Sequence, residues 1–423
     1  MSVDQLWILI SASLVFLMQG GFLCLESGLV RSRNAELVAM KNFVDWALCN
    51  LLFFAIGFGL MFGTSFHGWI GVDLFFLRDL ELAAPSTAGP WLFFLFQLAF
   101  AGTAATIVSG AIAGRASLAA YVAATVAMTI VVYPVMGHWV WGGALVPENR
   151  PWLAELGFLD FAGSTVVHST GAWFALAAAW RIGPRQGRFS ASGEPRAFKS
   201  HSFQFAALGA LLLWIGWWGF NGGSTLAFDQ TVGPIVLNTN LAGAAGGLVA
   251  LVHALVRQGG RDTGMKMLGG ALGGLVAITA SCNFASPVEA ILIGAVAGVF
   301  HNGAIEALIG RGVDDPVGAI AVHGACGAWG TLAVALVLPE DAMAMSRAGH
   351  FAVQLLGVVT CLVWSGGIGL LCFELIQRTV GLRIAPELER DGTFVDGRLN
   401  RADPGSDEEP LDAATLRALM SGD

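Results

Sequence analysis

Apolar runs of about twenty residues, separated by short clusters of turn and charged residues, dominate the 423-residue chain. A run of that length is what a helix rising 1.5 Å per residue needs to cross the hydrocarbon of a bilayer. The pattern predicts eleven spans: Gln5 to Ser27, Asn42 to Gly63, Pro90 to Ala113, Ser117 to Trp141, Phe158 to Ala179, Ser202 to Gly223, Val232 to Leu255, Met267 to Cys282, Val288 to Leu308, Gly318 to Leu338 and His350 to Ile376. The expected fold class is an all-α integral membrane protein. The first run has no basic n-region and continues past signal-peptide length, so it is read as a span and not as a cleaved leader. After Ile376 the composition turns polar, which divides the chain into a membrane domain, 1–378, and an acidic cytoplasmic tail, 379–423, partly flexible. Within that tail Asp412 to Met420 has the composition for a helical turn or two.

Composition sharpens this picture. Hydrophobic residues make up 55% of the chain and charged residues 12%, with a mean hydropathy of +0.68. An ordinary soluble domain carries roughly a quarter charged residues. The net charge of -8 discourages a nucleic-acid partner. The six cysteines all sit in apolar runs without a Cys-x-x-Cys pair, so they read as small packing residues. Fifty-six glycines fit close helix approach in lipid, and Gly243–Gly247 and Gly269–Gly274 are the densest such stretches. Thirteen of the twenty-two Lys and Arg fall in loops after odd-numbered spans, three after even-numbered spans and six beyond the last, none deep in a span. By the positive-inside rule the N-terminus lies outside and the tail in the cytoplasm.

One stretch places an ionisable ring in an apolar segment. Asp160 to His168 reads Asp-Phe-Ala-Gly-Ser-Thr-Val-Val-His, and Asp315 to His323 reads Asp-Pro-Val-Gly-Ala-Ile-Ala-Val-His. Both have Gly three residues after the Asp and Val-His at the end. The copies fall on the fifth and tenth spans, so with five spans per repeat the second crosses the membrane in the opposite sense. The expected architecture is two inverted five-helix repeats with an eleventh helix bracing the bundle, and a substrate path near the midplane between the halves. Ionisable groups inside a membrane are expensive, which makes His168 and His323 the leading functional candidates. If the two rings meet, the pair can hold or relay a proton; no third ligand is in sight for a metal. Asp315 reads as a helix N-cap, and Asp160 as either a cap or an anion that favours a cation at the outer mouth.

Other polar positions read as structural or interfacial. His253, His301 and Glu306 lie towards cytoplasmic span ends, Glu26 and Asp45 are similarly placed, and His138 falls in an expected aromatic belt. Among 28 Phe and 14 Trp, Phe96 and Phe100 share one helix face, and Trp214 to Phe220 ends a span in rings beside Ser224. Rings at an aqueous mouth attract a small cation and a hydroxyl accepts its hydrogen bond.

The stretch Asp160–His168 with Trp180-Arg181 resembles the signature of the ammonium transporter (Amt/Mep/Rh) family. So do Glu26–Asn34, Lys41-Asn-Phe, Gly57–Gly63, Trp218–Ser224 and Asp314 through His323 to Gly330, covering residues 5 to 385; Trp141 and Ser224 match the Amt branch. The resemblance implies a homotrimer of eleven-helix protomers in a bacterial inner membrane, each with its own pore and no cofactor. It implies an outer ammonium site of Phe96, Trp141 and Ser224, a gate of Phe100 and Phe220, and a pore lined by His168 and His323, with Asp160 supporting the ion site from behind. An ammonium ion would be deprotonated beyond the outer site and cross as ammonia, with the proton passing separately along the imidazoles. Two departures stand out. The loop between Trp141 and Asp160 is long, and the tail keeps Leu382 to Glu387 but lacks the family's usual Gly-Leu-Asp-x-x-Glu-His-Gly, which bears on docking of a PII-type regulator.

The leading expectation is an ammonium transporter and not an enzyme. The second is an ammonium sensor coupled to a signalling module or partner through the tail. A membrane metalloenzyme built on the two His is the third and lacks a third ligand.

Overall fold

The computed structural model describes residues 2–82, 89–257, 259–260 and 262–391. Among the described residues the long helices are α1 (Val3–Leu29), α2 (Ser32–Phe62), α3 (Pro90–Ile112), α4 (Leu118–Trp141), α5 (164–182), α6 (Phe203–Gly223), α7 (Val232–Arg257), α8 (Thr263–Ile278), α9 (Pro287–Gly310), α10 (Ile320–Val337) and α11 (Arg347–Thr379). Nine of them are long and apolar enough to cross a membrane. The other two are α5 and α8. Helix α5 is sheltered along most of its length, so its Ser, Thr and His residues need not face lipid; α8 has 16 residues. A two-stranded hairpin, Ser65–Phe66 with Ile70–Gly71, follows α2, and a short helix, Pro386–Asp391, ends the described chain. The stretch from Asp412 to Met420 lies outside the described residues.

Large apolar side chains on the outside, such as Val256, Val363 and Leu371, are each more than three-fifths exposed. In water such a belt would be ruinous, and in lipid it is the required surface. The chain is a multi-pass membrane protein.

Close approach of backbones organises the bundle. Helices α1 and α6 run antiparallel, with Trp7 Nε1 donating to Gly222 O at one end (3.1 Å) and Ser202 N to Gly28 O at the other (3.0 Å). A methyl group on Gly209 would stand 2.6 Å from Gly21 O, so only glycine permits this separation. Gly246 meets Gly270 and Gly274 across α7 and α8 in the same way, where the glycine-dense stretches were expected to pack.

Helices α5 and α10 are also antiparallel. Thr165 near the start of α5 meets Thr331 late in α10 (Oγ1···Oγ1 2.6 Å). Helix α11 lies along both: Gln354 clasps Leu159 N and O (2.8 and 2.7 Å) and reaches Thr331 O (3.0 Å), and Phe373 packs on Phe174 with centroids 4.8 Å apart.

Most expected boundaries fall within a few residues of the helices, but α2 begins ten residues before Asn42. Its first turns carry Glu36, Lys41 and Asp45, which lower hydropathy without opposing a helix. These turns point a polar face inward: Asn34, Lys41, Asn42 and Asp45 are all buried. Lys41 is therefore inside a helix and not in a loop, its Nζ donating to Ala116 O at 2.6 Å and lying 5.9 Å from the Tyr121 ring.

Candidate functional site

The two repeated stretches fold alike at opposite ends of the bundle. Asp160 Oδ1 accepts from the backbone N–H of Gly163 and Ser164 (2.9 and 3.0 Å), and Oδ2 from Thr165 and Val166 (2.8 and 2.9 Å). That saturates the start of α5. Asp315 accepts from Ala319 N (3.0 Å) and Ile320 N (2.8 Å) at the start of α10. Gly163, at φ +118°, allows the chain to turn from the cap into the helix.

Each helix then opens with a wide π-helical turn, Ser164–Ser169 in α5 and Ile320–Ala325 in α10. The hydroxyls of Ser169 and Thr170 donate to carbonyls five residues back, Ser164 O and Thr165 O, at 3.0 and 3.1 Å. Such donors hold a widened turn where the ordinary ladder is broken. The turns carry His168 and His323.

Their rings lie almost parallel, centroids 5.1 Å apart at 19°, and the two Nδ1 atoms are 3.1 Å apart, a hydrogen bond in which either ring donates. Both side chains are buried. His168 Nε2 has no hydrogen-bond partner among the described residues. Leaving such an atom dry costs on the order of 1–3 kcal/mol, which marks it for a transient partner.

Aromatic rings continue the line. Phe220 lies on His168 (5.3 Å, 25°) and on Phe100 (3.9 Å, 16°), and Trp217 flanks His168 at 5.2 Å. Phe100 in turn touches Phe96 (4.6 Å) and Trp141 (6.2 Å). Above this stack is a cavity of about 90 Å³ lined by Phe96, Gln97, Phe100, Trp141, Phe161 and Ser224 among others. Trp141 Nε1 donates to Asp160 O at 2.8 Å, which fixes the indole with its face free. Ser224 donates its hydroxyl proton to Phe220 O at 2.9 Å, so its lone pairs are left to accept.

On the other side of the imidazoles is a small cavity of about 20 Å³ bounded by Phe22, Glu26, Ile107 and His323. A wider vestibule of about 150 Å³ follows, lined by Arg185, Arg188, Lys266, His301 and Asp315. Asp314 ties this basic face together. Arg185 Nε and Nη2 reach its two carboxylate oxygens at 2.7 and 2.8 Å, and Arg188 Nε approaches at 3.2 Å. Burial would raise the Asp314 carboxyl, but hydrogen bonding and charge from Arg185, with Arg115 beyond, hold it well below the usual carboxylate range. Asp315 is pushed up to about 6 by burial, its backbone donors only partly offsetting the effect. Arg115, fully buried, donates to Gly183 O, Ala111 O and Asp314 O, and burial lowers it to about 10.

The expected site residues Phe96, Phe100, Trp141, Ser224, Phe220, His168 and His323 thus fall along one axis, with Asp160 behind Trp141 and touching the cavity through none of its carboxylate oxygens. His138 is pinned between Met61 O (2.8 Å) and Ser65 Oγ (2.7 Å), and His301, which lines the wide vestibule, forms a polar cluster with Asn302 and His253 off the line of stacked rings. Sequence reasoning passed over Trp217 and Phe22. The i, i+3 spacing of Trp217 and Phe220 on one helix face was the available signal for the first. The long loop before Asp160 is compacted by Asn149, whose amide donates to Gly63 O and Gly142 O at 2.8 Å each, and by a short helix, Trp152–Glu155.

Comparison with known proteins agrees with this architecture. The model of the Ammonium Transporter Family matches residues 6–396. The chain is 41% identical to ammonium transporter Amt2 of Archaeoglobus fulgidus, over 92% of this chain and 86% of that protein. A solved structure described as a sensor Amt protein superposes with a TM-score of 0.90 at 43% identity, covering 93% of this chain and 98% of the other. Mep2 of Candida albicans superposes with a TM-score of 0.82 at 26% identity, covering 96% and 93%.

Proposed function

Since this chain belongs to the ammonium transporter family, whose members are membrane transporters and not enzymes, we propose that it moves ammonium nitrogen across the membrane as ammonia. The observation that carries this reading is the single axis from the ring-lined cavity, through the Phe100–Phe220 stack, to the paired imidazoles. Trp141, Phe96 and Ser224 recruit the ion, two by their ring faces and one by its hydroxyl. An intact cation forced past stacked rings into a dry lumen would meet a desolvation cost that idealised estimates place at tens of kcal/mol. Neutral ammonia meets far less. The ion therefore surrenders its proton at the stack, ammonia passes Phe100 and Phe220 as they part, and His168 and His323 hand the proton on through their shared Nδ1 contact. Potassium, with no proton to surrender, is refused.

In this reading the helices form two inverted repeats of five with α11 as a brace, supported by the antiparallel, like-capped α5 and α10. The basic face with Arg185 and Asp314 is cytoplasmic and the Trp141 face is outside. The protomer works as one of three identical pores.

Ammonium-evoked current from purified protein fused to a supported membrane tests this. A robust current that falls to background in His168→Ala is expected. Ammonium binding with neither current nor ammonia flux would overturn the reading and favour a second one, ammonium sensing, which the likeness to a sensor Amt protein recommends.

A further inference from the structure

We propose that Glu26 is the proton acceptor at the inner end of the lumen, an inference that rests on the transport reading above. Glu26 is buried on α1 and shares the narrow cavity below the paired imidazoles with His323. The rest of that cavity's wall is apolar, so Glu26 is the one group there besides His323 that exchanges a proton. Its two oxygens are placed differently. Oε2 accepts from Asn42 Nδ2 at 3.0 Å, whereas Oε1 lies on the side of Gly110 and Val317, 3.4 Å from where a Gly110 methyl would stand. Asn42 also donates to Val38 O (3.0 Å), which fixes the amide and hence the carboxyl.

The surroundings are built for a polar group that changes state. On α2, Lys41 directs its ammonium to Ala116 O, and Asp45 accepts from Tyr121 and from Thr106 Oγ1 (2.9 Å). Thr106 also bonds Gln19 Oε1 at 2.9 Å. Asn42 Oδ1 and Gln19 Nε2 have no hydrogen-bond partner among the described residues, although both residues are more than nine-tenths buried. A polar column with spare donors and acceptors thus backs Glu26, on the side away from the lumen.

The step balances. The N–H bond at His323 Nε2 of the protonated pair breaks as an O–H bond forms at Glu26 Oε1, leaving neutral imidazole and a neutral carboxyl. Ammonia emerging past His323 then takes that proton with its lone pair, giving ammonium and the carboxylate. The ion leaves into the vestibule lined by Asp315. One proton and one ammonia enter the cavity and one ammonium leaves.

Proteoliposomes carrying the full protein give two readouts, ammonium-evoked current and entry of ammonia nitrogen followed with isotope-labelled ammonium. Glu26→Gln is expected to keep ammonia entry near that of the unaltered protein and to lower the charge moved per ammonia by about tenfold or more, the low end for loss of a positioned proton acceptor. Should that variant fail to assemble, Glu26→Met, apolar like the rest of the wall, takes its place with the same expectation. An unchanged ratio of charge to ammonia in whichever variant assembles overturns the assignment of Glu26 alone. An unaltered protein that carries neither current nor ammonia overturns the transport reading and this inference with it.

Discussion

A buried imidazole ordinarily satisfies both ring nitrogens, as His138 does between Met61 and Ser65. His168 satisfies one and leaves the other bare. His350 Nε2, at the start of α11, is bare as well, so the bare nitrogen is distinctive at His168 only because it lies beside the stacked rings, and no spacing in the sequence could have shown that, because it depends on which neighbours arrive from other helices. Asp160 is the reverse case. Its position three residues before a glycine made a cap legible, and the structure fills both oxygens with backbone donors. Asp160→Ala is expected to cost about 1–2 kcal/mol or more, the upper range for a lost cap, since four donors are stranded. A drop in thermal unfolding midpoint in detergent, smaller for Asp160→Asn, checks this. An unchanged midpoint in the Ala variant would mean water replaces the carboxylate at no cost. At Phe220 the stack on Phe100 predicts that Phe220→Ala opens the axis and admits water, so that proton leak without ammonium rises in liposomes.

At the scale of elements, glycine positions divide by what stands opposite them. A methyl on Gly209 would run into the backbone of α1, whereas one on Gly367 in α11 meets nothing within 4 Å. Alanine gains roughly 1 kcal/mol of helix propensity at either site. At Gly209 overpacking against immovable backbone costs about 1–3 kcal/mol and wins. Gly209→Ala is thus expected to destabilise the fold and Gly367→Ala to leave it unchanged or slightly firmer, as read from unfolding midpoints of the two side by side. Hydropathy found the lipid-facing helices because their requirement is local. It lost the first turns of α2, whose polar face answers to partners on α1, α3 and α4, and it could not foresee the wide turns at His168 and His323, the first of them held by hydroxyls that bond carbonyls five residues back.

For the whole molecule, Asp314 joins segments that are distant in the chain, binding Arg185 and Arg188 by its carboxylate and Arg115 by its carbonyl. The end of the described chain docks on the same face: Ile384 N donates to Arg115 O at 3.0 Å, and the fully buried Glu389 side chain holds Arg383 at 2.8 Å and Gln186 N at 2.7 Å. Asp314→Asn strands two guanidinium groups and is expected to cost about 3–5 kcal/mol, the range for breaking a buried pair. The sign of the pH effect follows from the direction of the shift. A carboxyl held below its unfolded value, about 3.9, contributes fully above that pH and loses its contribution as pH falls through the depressed native value. Melting in buffers from pH 6 down to pH 3 should therefore show a steep decline only below about pH 4, and that decline should flatten in Asp314→Asn. Glu389→Ala is expected to expose the segment after Gly381 to protease while the helices stay intact, visible as early cleavage near Arg383; equal cleavage rates would show that the docking is incidental. The like-capped, antiparallel pair α5 and α10 was legible from two matched stretches. The docking of Leu382 to Glu389 was not, because its partners, from Arg115 to Gln186, lie far earlier in the chain.

The two wide turns also fix how the chain can be counted. A π turn inserts one residue without adding a turn, so every position after it is rotated by about 100° from where an α-helical register would put it. Removing a single residue anywhere in 164–169 would let α5 relax to the ordinary register with the Thr170–Ile182 face still against α11, but it would abolish the widened turn that carries His168. Chain length in these six residues is therefore as much a part of the site as the imidazole itself, and a substitution scan that leaves every residue count intact would never reveal it.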